Sequence, residues 1–366
     1  MTDQKKKKSL KAKILWLIKF TVSSAIVVLI LRKILMSSNL GDIKDMLTRM
    51  PASHFALWMA GAFAVKGTGM FMAVVRWRIL LNGQGLRIGW WHLIGSFLIG
   101  RFIGSFTPST TGLDGWRLYD IARHAKNTAA SVSVILVEKI TGFFILSVLI
   151  LATLPLGSTI IRNEGYRQSF EKASTIIVVV MGLPMAVALA MIMKPSIIRK
   201  IVVAMSRLTK RFEKKLLKFA DALSAYENRK LLLLKALAAG FCVHLGTCGM
   251  YYFTGHSLGF DVSLKAVYFI GPIMIAATIV PVSIAGVGVR ELVWAVLIGE
   301  QLGGGDVGFA SGAVMAFLGY VVGEGISLAG GPIWLARRAD YRMMKEMKEK
   351  QEAAAADGEA APAANT

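Results

Sequence analysis

The sequence has few acidic residues and almost no cysteine. It contains 22 Asp and Glu against 43 Lys and Arg, and its two cysteines, Cys242 and Cys248, share one apolar stretch. Six positions separate these cysteines, so they fall on different helix faces and predict neither a disulfide framework nor a metal site. Acidic clusters with metal-ligand spacing and a Walker-type phosphate loop are also missing. We therefore expect no metal, no cofactor and no direct ATP-driven pumping.

Apolar residues, in contrast, make up 55% of the chain and occur in long runs separated by basic loops. This pattern is typical of a polytopic helical membrane protein. The net charge of +21 is also compatible with nucleic-acid binding. However, the lysines and arginines lie between the apolar runs, where the positive-inside rule places them, and no basic nucleic-acid-binding module is recognisable. We predict an all-α integral membrane protein that binds no nucleic acid.

The apolar runs predict about eight or nine helical segments. A basic tail over 1–13 is expected to be cytoplasmic, and a loop carrying Arg76, Arg78 and Arg87 is assigned to the same side. The predicted segments are 14–35, 54–75, 88–106, 128–154, 173–193, 231–256, 265–282, 290–301 and 308–336, with an external loop over 155–172 and an external turn over 303–306.

One short motif occurs twice, as TPSTTGLDGWR over 107–117 and as VPVSIAGVGVRE over 280–291. In each copy an apolar run ends in a proline, small residues and glycines follow, and an arginine closes the motif. Proline and glycine interrupt helices, and broken backbone at membrane depth persists only where protein or a water-filled cavity surrounds it. We predict two re-entrant hairpins; ordinary polar turns between helices are the alternative.

The two motifs are approached from opposite sides of the membrane in this topology. The half-repeats, about 54–154 and 231–336, are therefore predicted to be inverted repeats within a transmembrane domain over 14–336. This arrangement is typical of secondary transporters, whose binding sites lie near the bilayer midplane between the repeats.

Two further segments are basic. Residues 194–230 carry many lysines and arginines with apolar residues at helical spacing, which predicts an amphipathic linker helix on the inner leaflet, in contact with anionic lipid headgroups. The segment 337–366 starts with Arg337 and Arg338 and is expected to be a disordered cytoplasmic tail. Both termini are thus placed in the cytoplasm.

Three groups of residues resemble a known family. They are Pro108, Gly112, Asp114, Gly115 and Arg117; Glu138 and Lys139; and Pro281, Ser283, Gly286, Gly288, Arg290 and Glu291. Together they resemble the integral-membrane, flippase-like domain of the lysylphosphatidylglycerol synthase family, and the resemblance covers nearly the whole chain between its tails.

The resemblance implies a membrane domain that moves a lipid between leaflets. In that family a separate soluble domain performs aminoacyl transfer. This sequence continues after its last span only into a short basic stretch and an alanine-rich tail, so aminoacyltransferase activity is not expected. We expect a transporter rather than an enzyme, in a bacterial or archaeal cytoplasmic membrane.

Arg117 and Arg290 are the first candidates for substrate binding. A guanidinium presents a planar fork of donors to phosphate oxygens and stays charged when poorly solvated. The alternative is internal pairing, of Arg117 with Asp114 or Glu138, and of Arg290 with Glu291 or Glu324. Further candidates for the same site are Arg101, the acids already named, and the hairpin backbone at Gly112, Gly115, Gly286 and Gly288.

Two acids lie inside apolar spans, where ionisable groups usually mark a pathway or a paired charge. Glu138 is adjacent to Lys139, and since neighbouring helix residues do not face each other, the two are expected to have separate partners. Glu324 lies in the final span. Either acid is a candidate proton carrier. Lys66, also within a span, is expected to snorkel or to have an acidic partner.

The sequence therefore favours a lipid translocase that moves a phospholipid or a lipid-linked phosphate between leaflets, with the membrane lipid as its substrate. Two alternatives remain open at this point. One is an integral-membrane transferase acting on a lipid-linked phosphate. The other is a membrane subunit that docks a cytoplasmic partner through the basic linker helix; a homo-oligomer is compatible with each.

Overall fold

The computed structural model shows an all-α polytopic membrane protein. It describes residues 21, 24–29, 32, 50–107, 111–125, 127–162, 164–193, 226, 229–279, 286–302 and 304–338. Helices dominate these ranges and no strand occurs in them. The predicted fold class is thus confirmed. The linker helix over 194–230, apart from three residues at its end, and the tail beyond Arg338 lie outside the described residues.

Ten α-helices follow one another along the described chain. They are α1 Ala52–Gly83, α2 Trp90–Ser105, α3 Thr111–Ala125, α4 Thr128–Thr153, α5 Gly157–Ile160, α6 Glu164–Met193, α7 Lys230–Ser257, α8 Leu264–Ile279, α9 Val289–Ile298 and α10 Gly305–Leu328. Short 3₁₀ turns cover Leu154–Leu156 and Gly299–Leu302. Residues 330–338 continue as a helix beyond a turn at Ala329. Of the predicted first span, the described residues 21, 24–29 and 32 are helical.

Four of the described helical stretches are long and apolar enough to cross a membrane: Ala52–Gly83, Thr128–Ile160, Lys230–Ser257 and Gly305–Arg338. Leu264–Ile279 is apolar but shorter, and it contains Pro272. Membrane helices tolerate an internal proline because neighbouring groups can satisfy the freed backbone. These helices identify an integral membrane protein.

The structure corrects three predicted boundaries. Arg76 and Arg78 lie within α1 rather than in a loop, because no turn-forming residue interrupts the helix before Asn82 and Gly83. The predicted external loop over 155–172 is largely helical, since α5 fills its start and α6 begins already at Glu164. The predicted turn over 303–306 is shorter than expected, because α10 begins at Gly305.

Helices α1 and α7 form the most extensive helix pair of the described structure. Their backbones approach at two glycines: a Cβ atom built on Gly246 would lie 2.9 Å from the carbonyl oxygen of Val65 and 3.0 Å from the Cα atom of Gly69. Small residues of this kind allow membrane helices to pack closely. The two longest helices of the predicted halves are thereby joined at their centres.

Each predicted half has its own apolar core. One core is formed mainly by α1 to α4, with Trp77 and Leu93 fully buried, and the other mainly by α7 to α10, with Phe269 and Trp294 fully buried. These side chains pack closely against neighbouring helices, and this close packing fixes the relative positions of the helices. The cores position the two halves around the α1–α7 contact.

The same order of elements occurs in both halves. A long helix leads to a helix of 16 residues, then a short helix follows the proline-containing turn, and a second long helix completes the half. Within each half the two helices flanking the turn pack on one another as a hairpin, α2 on α3 and α8 on α9. The turns themselves, over 108–110 and 280–285, lie outside the described residues. The inverted, re-entrant orientation stays a prediction.

Candidate functional site

Charged side chains at membrane depth form two groups. We call Arg76, Arg117 and Glu138 the Arg117 cluster, and Lys66, Arg101, Arg290 and Glu324 the Arg290 cluster. Both have a member on α1. Lys66 and Arg76 are ten positions apart on this helix, which corresponds to about 15 Å along its axis. The two clusters are therefore separated along α1.

The Arg117 cluster is built around a buried two-pronged ion pair between α3 and α4. The Nη1 atom of Arg117 donates to Oε1 of Glu138 at 3.2 Å, and Nη2 donates to Oε2 at 2.5 Å. The guanidinium also lies 4.1 Å from the centre of the Trp77 ring. Arg117 is 2% exposed. Of the two partners considered for Arg117, the structure shows Glu138.

Arg76 completes this cluster from α1. Its Nη2 atom donates to the backbone carbonyl oxygen of Glu138 and to Oγ1 of Thr141, the latter at 2.9 Å. The side chain is 5% exposed. Three helices thus meet at one carboxylate and the carbonyl beside it. Sequence reasoning missed Arg76 by placing it in a loop; the uninterrupted run from Gly69 to Asn82 was the signal that it belongs to a helix.

A second ion pair also joins α3 and α4. Lys139 Nζ of α4 lies 2.6 Å from Oδ2 of Asp114 on α3. Glu138 and Lys139 therefore have separate partners, as expected for adjacent helix residues. The two pairs together fix the position of α3 against α4.

The Arg290 cluster begins with a contact between α2 and α10. The Nη2 atom of Arg101 donates to Oε1 of Glu324 at 3.3 Å, and its Nε atom donates to Oγ of Ser327 at 3.1 Å. The hydroxyl of Ser105 donates to the other carboxylate oxygen of Glu324. The Arg101 and Glu324 side chains are 26% and 22% exposed. Arg101 is therefore much more accessible than Arg117 at 2%, whereas Glu324 is only somewhat more accessible than Glu138 at 15%.

Lys66 joins this cluster from the centre of α1. Its Nζ atom donates to Oγ1 of Thr247 on α7 at 3.2 Å. Arg101, Arg290 and Glu324 all lie within electrostatic range of the ammonium group. Lys66 is thus surrounded by charged groups from three other helices.

Arg290 enters from α9, the short helix after the second motif. Its guanidinium lies 4.9 Å from the centre of the Tyr320 ring on α10. Gly286 has a φ of +75°, and a Cβ atom on it would lie 2.9 Å from Thr278 and 3.5 Å from Nη2 of Arg290. Glycine is required here by the left-handed backbone and by the close approach to a neighbouring side chain.

Glu291 and Gly288 form the N-terminal cap of α9. The N–H of Gly288, which has a φ of +86°, donates to Oε2 of Glu291 at 2.6 Å. A carboxylate at this end also complements the positive end of the helix dipole. Glu291 is 6% exposed, so its contribution is to the geometry that presents Arg290.

The family model described as the lysylphosphatidylglycerol synthase TM region matches residues 16–323. This chain belongs to that family. No match to this chain was found among curated proteins or among solved structures. The family indicates a membrane protein of lipid metabolism or lipid translocation. The matched range contains every member of both clusters except Glu324, which follows directly after it.

In this member of the family, the structure separates the two arginines that the sequence proposed as joint anchors. Arg117 pairs with Glu138, whereas Arg290 belongs to the cluster of Lys66, Arg101 and Glu324. Gly112 closes the first hairpin, because a Cβ atom on it would lie 3.0 Å from the Cα atom of Gly104.

The remaining candidates contribute little to either cluster. Gly115 is exposed and has nothing within 4 Å of its Cβ position. Asp114 is committed to Lys139. Within the part of the chain that the structure describes, no group of three or more His, Cys, Asp or Glu residues is arranged to hold a metal ion.

Proposed function

We propose that this protein is a lipid translocase, which moves a phospholipid or a lipid-linked phosphate between leaflets through the Arg290 cluster. One observation carries the proposal. Basic side chains from both halves, Lys66 of α1, Arg101 of α2 and Arg290 of α9, lie within electrostatic range of one another, and Arg101 pairs with Glu324 of α10. Binding sites of secondary transporters are formed in this way, between two halves.

The depth of the cluster supports the proposal. Lys66 lies near the middle of the 32-residue helix α1, and Glu324 lies inside the long apolar stretch Gly305–Arg338. Charged side chains are costly at this depth and face a wet pathway or a partner. Several basic groups together would lower the barrier for a phosphate that leaves one interface for the other.

Accessibility distinguishes the two clusters. The side chains of Arg101 and Glu324 are each about one quarter exposed. Arg117 is 2% exposed, and both of its Nη atoms already donate to Glu138. A ligand can therefore reach Arg101 by displacing a carboxylate oxygen, but it would have to break a closed pair to reach Arg117. We assign the Arg117 cluster a structural role in holding α3 on α4.

The orientation of the halves belongs to the same proposal. The hairpin α2–α3 would enter from the cytoplasmic side and α8–α9 from the external side, which brings Arg101 and Arg290 together near the midplane. The cytoplasmic position of both termini, and contact of the basic linker with anionic headgroups, follow from the charge distribution of the sequence.

The proposal is tested by reconstituting the purified protein into vesicles that contain a lipid with a fluorescent acyl chain. Chemical quenching from outside then measures how fast the lipid exchanges between leaflets. We expect exchange with the unmodified protein and its loss in Arg101→Gln and Arg290→Gln. Arg167→Gln is the matched control, since Arg167 lies on α6, away from the cluster, in exposed ion pairs with Glu164 and Glu171. Unchanged exchange in both folded cluster variants would overturn this site.

A further inference from the structure

An aromatic side chain that the sequence did not single out lies beside the Arg290 cluster. Tyr320 is on α10, four positions before Glu324, so the two side chains share one face of the helix. The Tyr320 side chain lies within electrostatic range of Glu324, Arg290, Glu291 and Arg101. It therefore adjoins both arginines that the proposed function assigns to the headgroup.

The ring of Tyr320 contacts the guanidinium of Arg290. The Cζ atom of Arg290 lies 4.9 Å from the ring centre, which is within the range of a cation–π interaction. Arg290 belongs to the short helix α9, whereas Tyr320 and Glu324 belong to the long helix α10. The ring therefore holds Arg290 against the helix that also carries the carboxylate partner of Arg101.

The hydroxyl of Tyr320 takes no part in the hydrogen bonding of the fold, as far as the described chain extends. Two other tyrosines differ in this respect, because the hydroxyls of Tyr226 and Tyr268 donate to the backbone carbonyls of Leu80 and Leu245. Tyrosine hydroxyls that lie away from bulk water usually have a partner. Tyr320 is half-buried, and its hydroxyl can both donate and accept. It is a donor that a ligand can use.

We propose that Tyr320 binds the headgroup: its hydroxyl donates to a phosphate oxygen of the lipid, and its ring holds Arg290 beside that phosphate. This inference rests on the proposed function and adds a residue to its site. A phosphate that replaces a carboxylate oxygen of Glu324 as the acceptor of Arg101 lies about one helical turn from Tyr320. Hydrogen bonds to a charged acceptor are stronger than those between neutral groups.

Two substitutions separate the hydroxyl from the ring. Tyr320→Phe removes the hydroxyl and keeps the ring, and since the hydroxyl makes no bond within the described fold, this variant should unfold at the temperature of the unmodified protein. Tyr320→Leu also removes the ring and should impair binding further. Tyr268→Phe is the matched control, because Tyr268 is another half-buried tyrosine, and its electrostatic neighbour is Cys248 rather than a member of the Arg290 cluster.

Binding is measured in detergent as thermal stabilisation by short-chain lipids, each paired with a phosphate-free partner. The pairs are phosphatidylglycerol with diacylglycerol, and a polyprenyl-phosphate-linked sugar with the free polyprenol. We expect Tyr320→Phe to weaken the binding of a phosphate-containing probe at least about fivefold, because its bond to a charged group is lost. Stabilisation by the phosphate-free partners should not change. The probe that is affected distinguishes a phospholipid from a lipid-linked phosphate.

Lipid exchange in vesicles completes the test. Tyr320→Phe should exchange the bound lipid more slowly at a low mole fraction of that lipid and recover at a high one, whereas Tyr268→Phe should match the unmodified protein.

The outcomes separate this inference from the proposed function. Binding and exchange by Tyr320→Phe equal to those of the unmodified protein would overturn the hydroxyl contact, and loss of exchange in Arg101→Gln would still support translocation. A lower melting temperature of Tyr320→Phe, or an equal loss of binding for phosphate-free lipids, would show a structural role instead. Tyr320→Leu behaving like Tyr320→Phe would overturn the role of the ring. Neither binding nor exchange of any probe by the folded, unmodified protein would overturn both proposals.

Discussion

Arg117 and Glu138 form a closed ion pair in which each guanidinium Nη atom donates to one carboxylate oxygen, Nη1 to Oε1 at 3.2 Å and Nη2 to Oε2 at 2.5 Å. The pair joins the short helix of the first hairpin to the long helix after it. Arg117 occupies both carboxylate oxygens, and Arg76 donates separately to the backbone carbonyl of the same glutamate. The motif arginine of the first half is thus part of the scaffold.

Breaking this pair should destabilise the fold. Arg117→Met leaves the Glu138 carboxylate buried beside Arg76 alone, and we expect a loss of about 3–5 kcal/mol in the free energy of unfolding. The double variant Arg117→Met with Glu138→Leu removes both charges of the pair, but it leaves Arg76 buried with only its bonds to the backbone carbonyl of residue 138 and to Thr141, so we expect it to recover part of the stability. Thermal unfolding in detergent measures both effects. Single variants as stable as the unmodified protein would contradict a structural role for the pair.

The second motif supports a different prediction, on backbone conformation. Gly286→Ala must adopt a φ of about +75° and contact Thr278 at 2.9 Å, so we expect a loss of about 1–2 kcal/mol together with slower lipid exchange. Gly182→Ala is the matched control. Gly182 is helical and nothing lies within 4 Å of its Cβ position. If both variants unfold at the same temperature, the turn does not require glycine.

The sequence predicts most helices of this fold but few of its charged contacts. Long apolar runs locate α1, α4, α7 and α10, because membrane helices are apolar on all faces. The predicted ends of helices were wrong where basic residues continue a helix, as at Arg76 in α1. Proline and glycine marked the turns after α2 and α8, because these residues interrupt a helix wherever they occur.

Pairing between charged residues depends on which helices meet, and this is not encoded locally. Arg101 and Glu324 are 223 positions apart in the sequence and come together only when α2 packs on α10. Lys66 was expected to snorkel or to have an acidic partner; it donates to Thr247 and lies within electrostatic range of the other members of the Arg290 cluster. The pairing of Glu138 with Arg117 was among the predicted alternatives, because the two residues are only 21 positions apart and belong to the same half.

A histidine contact at the open end of the first hairpin should depend on pH. His92 Nε2 lies 2.8 Å from Oδ2 of Asp120, the His92 and His124 rings are 4.4 Å apart, and Arg337 donates to the His92 carbonyl. Burial, His92 and Arg337 lower the pKa of His124 below its usual value of 6.5, against the opposing effect of Asp120. The folded state therefore binds this proton more weakly than the unfolded state.

This linkage has a definite sign. As the pH falls below about 6.5, the unfolded chain takes up the proton first, so stability should fall on acidification. Comparing the melting temperatures of the unmodified protein and His124→Asn from about pH 7.5 to about pH 5.5 isolates the effect. At low pH, the melting temperature of the unmodified protein should fall relative to that of His124→Asn. A pH-independent difference would show that His124 does not titrate differently in the two states.

The inverted arrangement of the two hairpins is tested by labelling from one side of the membrane. Trp91 and Leu264 are at corresponding positions, near the starts of α2 and α8, and are 85% and 52% exposed. In a background with Cys242→Ser and Cys248→Ala, a cysteine introduced by Leu264→Cys should react with an impermeant reagent added to intact cells. Trp91→Cys should react only after the membrane is opened, because an inverted repeat places the equivalent helix starts on opposite sides. The alternative, a parallel repeat, places both on one side, so equal labelling of the two cysteines in intact cells would exclude the inverted arrangement. It would also remove the reason for the two hairpins to meet at the midplane, and with it the joint use of Arg101 and Arg290.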